Sequence, residues 1–534
     1  MIPQWVKNSR IYPSLRRTAS ALEEGFLRAE YSLLTPSGRR AELLEQIRAL
    51  PRSNGSRFYT RLPYRVGMVA DCFLFENYSC SCDLVYLTPE NWRSHLGSLD
   101  CVIVTSVWKG LHGEWTGASD PGSSISAQLC ALMQETRAWG CPVIFYSKED
   151  PPNFQWFQRY APYADRIYTS AQECIEKYRT ICPGVGVETM QFAISPLLHH
   201  PIGMKGLTEA NRAFFAGSWM KKYPERVSQQ RRLFDWVRQA GLQLDIADRN
   251  YSRYRFQYNY PLRYLSCVLP EFTYEEVSSL YKLYDWVLNL NSVHNSRDMF
   301  SLRVYDALAC GSLVLSNQSV GMEAYFPQVY VIDGYETLQE VLDTPLPALE
   351  QRRLDGIRQV FRTGTVYEKM EHMLRSVGLS GTCRTNELVG VIPAEDIPDK
   401  ALYREMFDAQ TYEKKVWIDS PGALEEIGRC GMVALWGKDR WYGKFYLEDL
   451  VNGFKYTDCD YVTKPDISGG PKEIHRYTTR LSDPYATLFW RDAYFRFWKE
   501  PRDREVLNGY LSDGQNYGIR TAPDPQQSNL GVVI

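Results

Sequence analysis

The stretch from 285 to 327, DWVLNLNSVHNSRDMFSLRVYDALACGSLVLSNQSVGMEAYFP, constrains this chain more than any other. An apolar strand, Trp286–Leu290, ends in a polar loop. A helical pattern follows at Leu302–Ala309, closed by Cys310 and Gly311, and a second apolar strand takes up Leu313–Ser316. Strand, loop, helix and strand in succession are the repeating unit of parallel sheets. In such sheets ligands gather beyond the carboxyl ends of the strands, beside helix N-termini. Here that loop carries Asn295, Ser296, Arg297 and Asp298, and Asp306 lies on the helix.

The same grammar recurs upstream. Arg65–Ala70, Leu84–Leu87, Leu99–Thr105, Pro142–Tyr146, Asp165–Thr169 and Gly186–Phe192 read as strands, with a helix over Ser124–Trp139. Arg212–Gly217 and Leu242–Ala247 begin a second set, with helices at Val227–Ala240 and Tyr274–Leu280. Apolar runs of about five residues separated by helices predict doubly wound sheets. A chain of 534 residues exceeds what one core supports. The expected fold class is α/β: a helical appendage over 1–60, Rossmann-like domains over 61–204 and 205–376, and a third, small α/β domain over 385–534.

Charge and composition narrow the function. Lys and Arg number 61 against 63 Asp and Glu, a net charge of -2. No basic tract implies a nucleic-acid partner, so an anionic ligand must be met locally. No apolar run is long enough for a membrane span, and no apolar N-terminal run predicts a signal peptide. The 13 cysteines form no CxxC framework, and most lie in apolar runs. This predicts buried free thiols in a reducing compartment, the cytoplasm.

Candidate site residues follow strand ends. The Gly-rich loop 106–117 carries Trp108, Lys109 and His112; His112 is either a plain loop residue or a hydrogen-bonding site residue. Lys148, Glu149 and Asp150 precede Pro151 and Pro152, which suits a helix-starting turn or a site cluster. Gly217 and Ser218 feed a helix through a basic corner of Lys221, Lys222 and Arg226, either a phosphate cradle or a solvated helix start. Arg249 follows the strand Leu242–Ala247. An acidic residue at 306 either holds two ribose hydroxyls or solvates a helix, and the amides near Ser301 suit a diphosphate.

GSWMKKYPER, SLRVYDALACG, and KEDPP with its downstream AISPLLHHPIG resemble the bacterial CgeB-like glycosyltransferases, over about 61–376. The resemblance implies a GT-B arrangement of two Rossmann-like domains about a cleft. It also implies transfer of a sugar from a nucleotide-sugar to a glycan, protein or small-molecule acceptor. The chemistry would be retaining and would need no cofactor and no divalent metal at the main site. In the wider retaining class two glutamates are separated by seven residues; the matching positions here are Asp298 and Asp306. By this resemblance Asp306 binds the ribose diol, Asp298 faces the transferred sugar and Ser301 meets the phosphates, with Gly217, Ser218, Lys222, Arg226 and Arg249 around the donor. The 61–204 domain would then hold the acceptor, with Glu149 as base and His112 hydrogen-bonding sugar hydroxyls.

Further on, VGVI, QTYEKKVWI and WYGKFYLEDLVNGFKYTDCDYVTK resemble a shortened, degenerate GT-A domain. That class holds a divalent cation on two aspartates, and Lys438-Asp439-Arg440 stands at the corresponding place. The expectation is a partial sheet and a non-catalytic module that presents an acceptor, a glycan or a protein partner, including a further copy in an oligomer. Trp436, Trp441, Tyr442 and Tyr446 are either a stacking surface or core. The tail from Ser512 is expected to be loose. The competing readings are a non-catalytic glycan-binding or scaffold protein, a two-domain sugar-nucleotide epimerase, and a dual transferase with an active third domain.

Overall fold

The computed structural model describes residues 12–207, 211–465, 474–481, 483–499 and 507–519. The first sheet contains β1 (Leu62–Val69), β2 (Cys82–Tyr86), β3 (Cys101–Thr105), β4 (Val143–Ser147), β5 (Arg166–Thr169) and β6 (Gly186–Thr189). Their order is β2-β1-β3-β4-β5-β6, and every pairing is parallel. Strands β3 and β4 are buried at every residue, as parallel strands covered on both faces must be. The second sheet contains β7 (Arg212–Ala216), β8 (Gln243–Ala247), β9 (Val268–Leu269), β10 (Trp286–Asn289), β11 (Leu313–Ser316) and β12 (Tyr330–Val331). It runs β12-β11-β10-β7-β8-β9, again wholly parallel. The two sheets are separate, β6 ending at Thr189 and β7 starting at Arg212.

The third domain is a mixed sheet of β13 (Val389–Pro393), β14 (Lys415–Trp417), β15 (Met432–Trp436), β17 (Tyr461–Thr463), β18 (Arg476–Thr478), β19 (Thr487–Trp490) and β20 (Gly509–Leu511). A side ribbon pairs β16 (Arg440–Tyr442) with β21 (Tyr517–Ile519). The seven strands run β14-β13-β15-β19-β17-β20-β18. The sheet is fuller than the partial one expected, because four of its strands come from beyond Asp439. Ser512 and Asp513, where a loose tail was expected, are buried. Ser512 N–H donates to the Thr463 carbonyl, and both oxygens of the Asp513 carboxylate accept from Lys464 Nζ at 2.9 Å. The rest of that tail beyond 519 lies outside the described residues.

Three connections bind these units. The helices Tyr12–Leu34 and Arg39–Ala49 dock on the second sheet's domain, not on the first that follows them in sequence. Tyr260 N–H donates to Tyr31 Oη at 3.0 Å, and Arg39 pairs with Asp245 at 3.0 Å. The helix Val366–Arg375 returns to the first domain: Ile194 N–H donates to Gly364 O, Val366 N–H donates to Ile194 O, and Tyr367 stacks on Tyr59 at 4.5 Å. The third domain is fixed by a buried ionic chain. Arg358 grips Asp449 with Nε and Nη2 at 2.6 and 2.9 Å, Lys464 reaches Asp449 at 3.1 Å, and Arg362 forks onto Glu448. One apolar cluster, including Leu43, Val304 and Tyr510, joins the helix Arg39–Ala49 to all three domains. All thirteen cysteines are free thiols, and among the described residues no helix is long and apolar enough to cross a membrane.

Candidate functional site

A cavity of about 910 Å³ opens between the first two domains, at the carboxyl ends of β7, β8 and β10. Parallel strands end there with their loops facing outward, so the chain's polar loops converge on it. From the second domain come Gly217, Ser218, Lys222, Arg226, Arg249 and Ser301, joined by Arg303 and Asp306. The first domain contributes Phe73, Glu149, Asn153 and Phe192. Eight of the ten residues to which the family resemblance gives a role thus line one cavity. His112 and Asp298 are not among its lining residues.

The floor is set by the helix Leu302–Ala309, with Ser301 at its N-cap. The Ser301 amide, expected to be open to a phosphate, donates to Asn291 Oδ1 at 3.3 Å. Arg303 and Asp306 are three residues apart on this helix and so share a face. Arg303 was not recognised in the sequence. Its Nη1 donates to Asn289 Oδ1 at 3.1 Å and its Nη2 to the Ala216 carbonyl at 2.6 Å. At Gly217 an added Cβ would stand 2.7 Å from the Phe215 ring, so the absent side chain leaves room for that ring beneath the cavity wall.

Two more guanidinium groups join it. Arg249 Nε donates to Ser218 Oγ at 2.9 Å, and Arg226 Nη1 donates to Ser218 O at 3.2 Å. Among the described residues none of Arg226, Arg249 and Arg303 forms an ion pair with a carboxylate. Burial, reinforced by the positive charge of Arg303, lowers Arg226 to about 10 and also lowers Arg249. Asp248 offsets part of this at Arg249, but three crowded, partly desolvated cations with no ion-paired carboxylate among the described residues are an unfavourable arrangement, and an anion relieves it. Lys222 is exposed at the rim, its Nζ 4.6 Å from the Tyr223 ring centre.

Asp306 is buried beneath the cavity. Its Oδ2 accepts from the Tyr274 hydroxyl at 3.1 Å. Oδ1 has no hydrogen-bond partner among the described residues and faces His199 Nε2 at 3.5 Å. Burial pushes the carboxyl up to about 8, offset in part by the Tyr274 hydrogen bond and by Arg303. His199 is itself held neutral, lowered to about 3 by burial and by Lys282. The histidine therefore brings no charge to the acid.

On the opposite wall, Glu149 is held by two neighbours. Oε1 accepts from Lys148 Nζ at 2.8 Å, and Oε2 accepts from Asn153 Nδ2 at 3.0 Å. The buried Lys148 also reaches Asp71 at 3.2 Å. Asp71 in turn accepts from the backbone N–H groups of Trp108, Lys109 and Gly110, which fixes the loop after β3. On that loop His112 is exposed. Asp298 forms an inter-domain clasp. Its Oδ2 accepts from Gln172 N–H at 3.1 Å, and its Oδ1 accepts from Tyr325 Oη at 3.0 Å and Gln191 Nε2 at 3.4 Å.

The third domain assembles no such site at Asp439. That residue is exposed in the turn between β15 and β16, and Lys438 pairs with Asp396 at 2.8 Å. Among the described residues no group of three or more His, Cys, Asp and Glu side chains is placed to hold a metal. Trp436, Tyr442 and Tyr446 are core: the first two stack at 4.2 Å, and all three are buried, while Trp441 is exposed.

Residues 226–373 match the family model described as glycosyl transferase-like. The matched stretch is the second domain, with Arg226, Arg249, Arg303 and Asp306 inside it. No curated protein matches the sequence. Among solved structures, an alpha-glucosyltransferase in complex with UDP is 10% identical, with 58% of this chain and 98% of that chain covered and a TM-score of 0.41. A trehalose-phosphate synthase (UDP-forming) from Burkholderia vietnamiensis is 11% identical, covering 54% and 75%, with a TM-score of 0.36. Anabaena HepE in complex with UDP and glucose is 9% identical, covering 59% and 100%, with a TM-score of 0.38.

Proposed function

We propose that the chain is a nucleotide-sugar-dependent glycosyltransferase whose donor lies in the inter-domain cavity. The observation that carries this reading is the pairing of three guanidinium groups lacking a carboxylate partner with a buried acid one helical turn from Arg303. A nucleoside diphosphate presents the complementary pattern: two adjacent negative phosphates, then a ribose diol. Arg226, Arg249 and Arg303, beside Gly217 and Ser218, would hold the diphosphate. Asp306 Oδ1 would accept from the ribose. Breaking the glycosidic bond puts charge on the departing diphosphate, and preorganised guanidinium groups can stabilise it without a metal ion. Glu149, on the facing wall, is in place for the acceptor side, and Asp298 would act near the transferred sugar once its clasp opens. The narrower likeness to the CgeB-like enzymes, retention of configuration, a cytoplasmic setting consistent with thirteen free thiols, and an accessory role for residues 385–534 belong to the same proposal.

The test is thermal stabilisation by UDP-, GDP-, dTDP- and CMP-sugars. A ligand at one hundred times its Kd adds about 2.7 kcal/mol to the native state, which a melting curve resolves. One donor should stand out, and Arg303→Met should remove its effect. If no nucleotide-sugar shifts the melting temperature, the reading fails.

A further inference from the structure

Arg303 is held by neutral groups. Arg303 is half-buried, and a guanidinium withdrawn from water is ordinarily paired with a carboxylate. Here Asn289 takes that place at the end of β10, fully buried, with its Oδ1 accepting from Arg303 Nη1. The rest of the amide is also committed: Nδ2 donates to Asn291 Oδ1 at 3.2 Å and to Ser316 Oγ at 3.0 Å. Ser316 is the register partner of Asn289 across the β10–β11 pairing, so the sheet itself fixes the amide. Asn291 extends the network. Its N–H donates to Asn317 Oδ1 at 2.8 Å, its Oδ1 accepts the Ser301 amide, and Asn317 Nδ2 donates to Gln229 Oε1 at 2.7 Å. Every link is an uncharged amide or hydroxyl, set in a strand end where an apolar side chain or an aspartate would be cheaper to bury or stronger as a partner.

We propose that Asn289 is a positioning residue that aims Arg303 at an anionic phosphate while leaving its charge uncancelled. Any acceptor of this shape would orient the guanidinium. A carboxylate there would also neutralise it, and the positive charge would no longer be available to a ligand. The asparagine orients without neutralising. Its neighbour Asn291 keeps the N-terminus of helix Leu302–Ala309 in register with the same guanidinium. Asp306, one turn further along, makes no ion pair with Arg303 and does not take over that role.

This inference rests on the anion-site reading above, and its test separates the two. The probes are inorganic pyrophosphate and UDP, GDP and dTDP, measured by calorimetry on the full chain. The variants are Asn289→Asp, Asn289→Ala and Arg303→Met. The isosteric aspartate should weaken pyrophosphate binding at least tenfold and flatten its dependence on NaCl; it also loses the Nδ2 donor to Asn291 Oδ1 and Ser316 Oγ, so its ligand-free melting temperature should fall. The alanine variant should weaken binding at least threefold with the salt dependence retained. In the Arg303→Met background neither change should matter further. A merely structural asparagine would lower the melting temperature while leaving pyrophosphate affinity and its salt dependence unchanged in both variants. If Asn289→Asp fails to fold, the alanine variant decides: unchanged pyrophosphate affinity overturns the proposal. If the wild type binds nucleoside diphosphates and both Asn289 variants bind them equally well, this inference falls alone. If pyrophosphate binds but no nucleotide does, the donor reading falls, and this inference stands only where the Asn289 variants weaken pyrophosphate as stated. If neither binds, both fall.

Discussion

The Tyr274 hydroxyl donates to Asp306 Oδ2 at 3.1 Å, while among the described residues the other oxygen of that carboxyl has no hydrogen-bond partner. Tyr274 also accepts from Asn77 Nδ2, at 3.0 Å, from the first domain. The acid at the base of the cavity is therefore connected to both domains and is half satisfied.

This arrangement predicts proton release on donor binding. With its carboxyl pushed up to about 8, Asp306 carries a proton at pH 7. Two ribose hydroxyls donating to it would favour the charged form. Calorimetry at pH 7 in buffers of different ionisation enthalpy should show up to about one proton leaving per donor bound, and Asp306→Asn should show none. Asp306→Ala should weaken donor binding about tenfold to a hundredfold.

The same carboxyl sets a pH dependence of stability. An unfolded aspartate titrates near about 3.9, so between roughly pH 4 and pH 8 the folded chain holds a proton that the unfolded chain has lost. Stability then falls as pH rises through that window. Asp306→Asn should raise the melting temperature at pH 8, and the gain should shrink toward pH 5. A gain independent of pH would mean that the acid is already charged in the folded chain.

Much of the fold was legible because apolar periodicity follows burial. Tyr274–Leu280, Leu302–Ala309 and Leu313–Ser316 have the same bounds in sequence pattern and structure. The strands β9 and β12 are only two residues long, too short for any period. The docking of the N-terminal helices on the second domain joins buried side chains such as Tyr31 and Leu43 to long-range polar contacts such as Arg39–Asp245, a pairing that no local pattern announces. Of the site, strand-end position pointed to the right loops, but Arg303 looks like any helix arginine in SLRVYDALACG. A signal for it was present in DWVLNLNS: two asparagines ending an otherwise apolar strand demand buried partners. The Trp436, Tyr442 and Tyr446 group was undecidable from sequence, since stacking surfaces and cores use the same rings.

Breaking the ionic chain under the third domain should be costly. Arg358→Ala leaves Asp449 buried beside Lys464 with one partner fewer, a loss of about 3–5 kcal/mol, seen as a lower urea midpoint. Asp439→Gly should change stability by less than about 0.5 kcal/mol, because the turn residue is exposed and has φ of 58°, which glycine tolerates. A chain ending at residue 376 should lack a cooperative unfolding transition, since Arg358 and Arg362 lose their acids and Arg57 and Phe58 lose the Thr457 and Phe454 carbonyls. Soluble, cooperatively folded 1–376 with full donor hydrolysis would show the third domain to be a passenger.

Asp298→Ala tests the clasp. Gln172 N–H and the Tyr325 hydroxyl lose their acceptor, at a cost of about 1–3 kcal/mol. Hydrogen exchange at residues 170–172 should quicken, and small-angle scattering should show a wider particle. Unchanged exchange with a collapse of kcat would instead mark Asp298 as a residue that touches the transferred sugar.

Asp71 offers the sharpest separation of the two walls. Its carboxylate accepts three consecutive backbone N–H groups, of Trp108, Lys109 and Gly110, and faces Lys148. Asp71→Ala leaves those amides without their acceptor and removes one of the two carboxylates beside the buried Lys148. The cost is about 1.5–3 kcal/mol for hydrogen bonds to a charged group. The loop after β3 should become exchange-labile, and Glu149, held through Lys148, should lose its fixed position. None of the donor contacts proposed at Arg226, Arg249, Arg303 and Asp306 passes through this loop. Donor affinity should therefore stay within about twofold of wild type, while kcat/KM for the acceptor drops at least tenfold, a loss of about 1.4 kcal/mol of transition-state stabilisation. Equal losses in donor affinity and acceptor turnover would place the loop over the donor, and the facing wall could then no longer be read as the acceptor side.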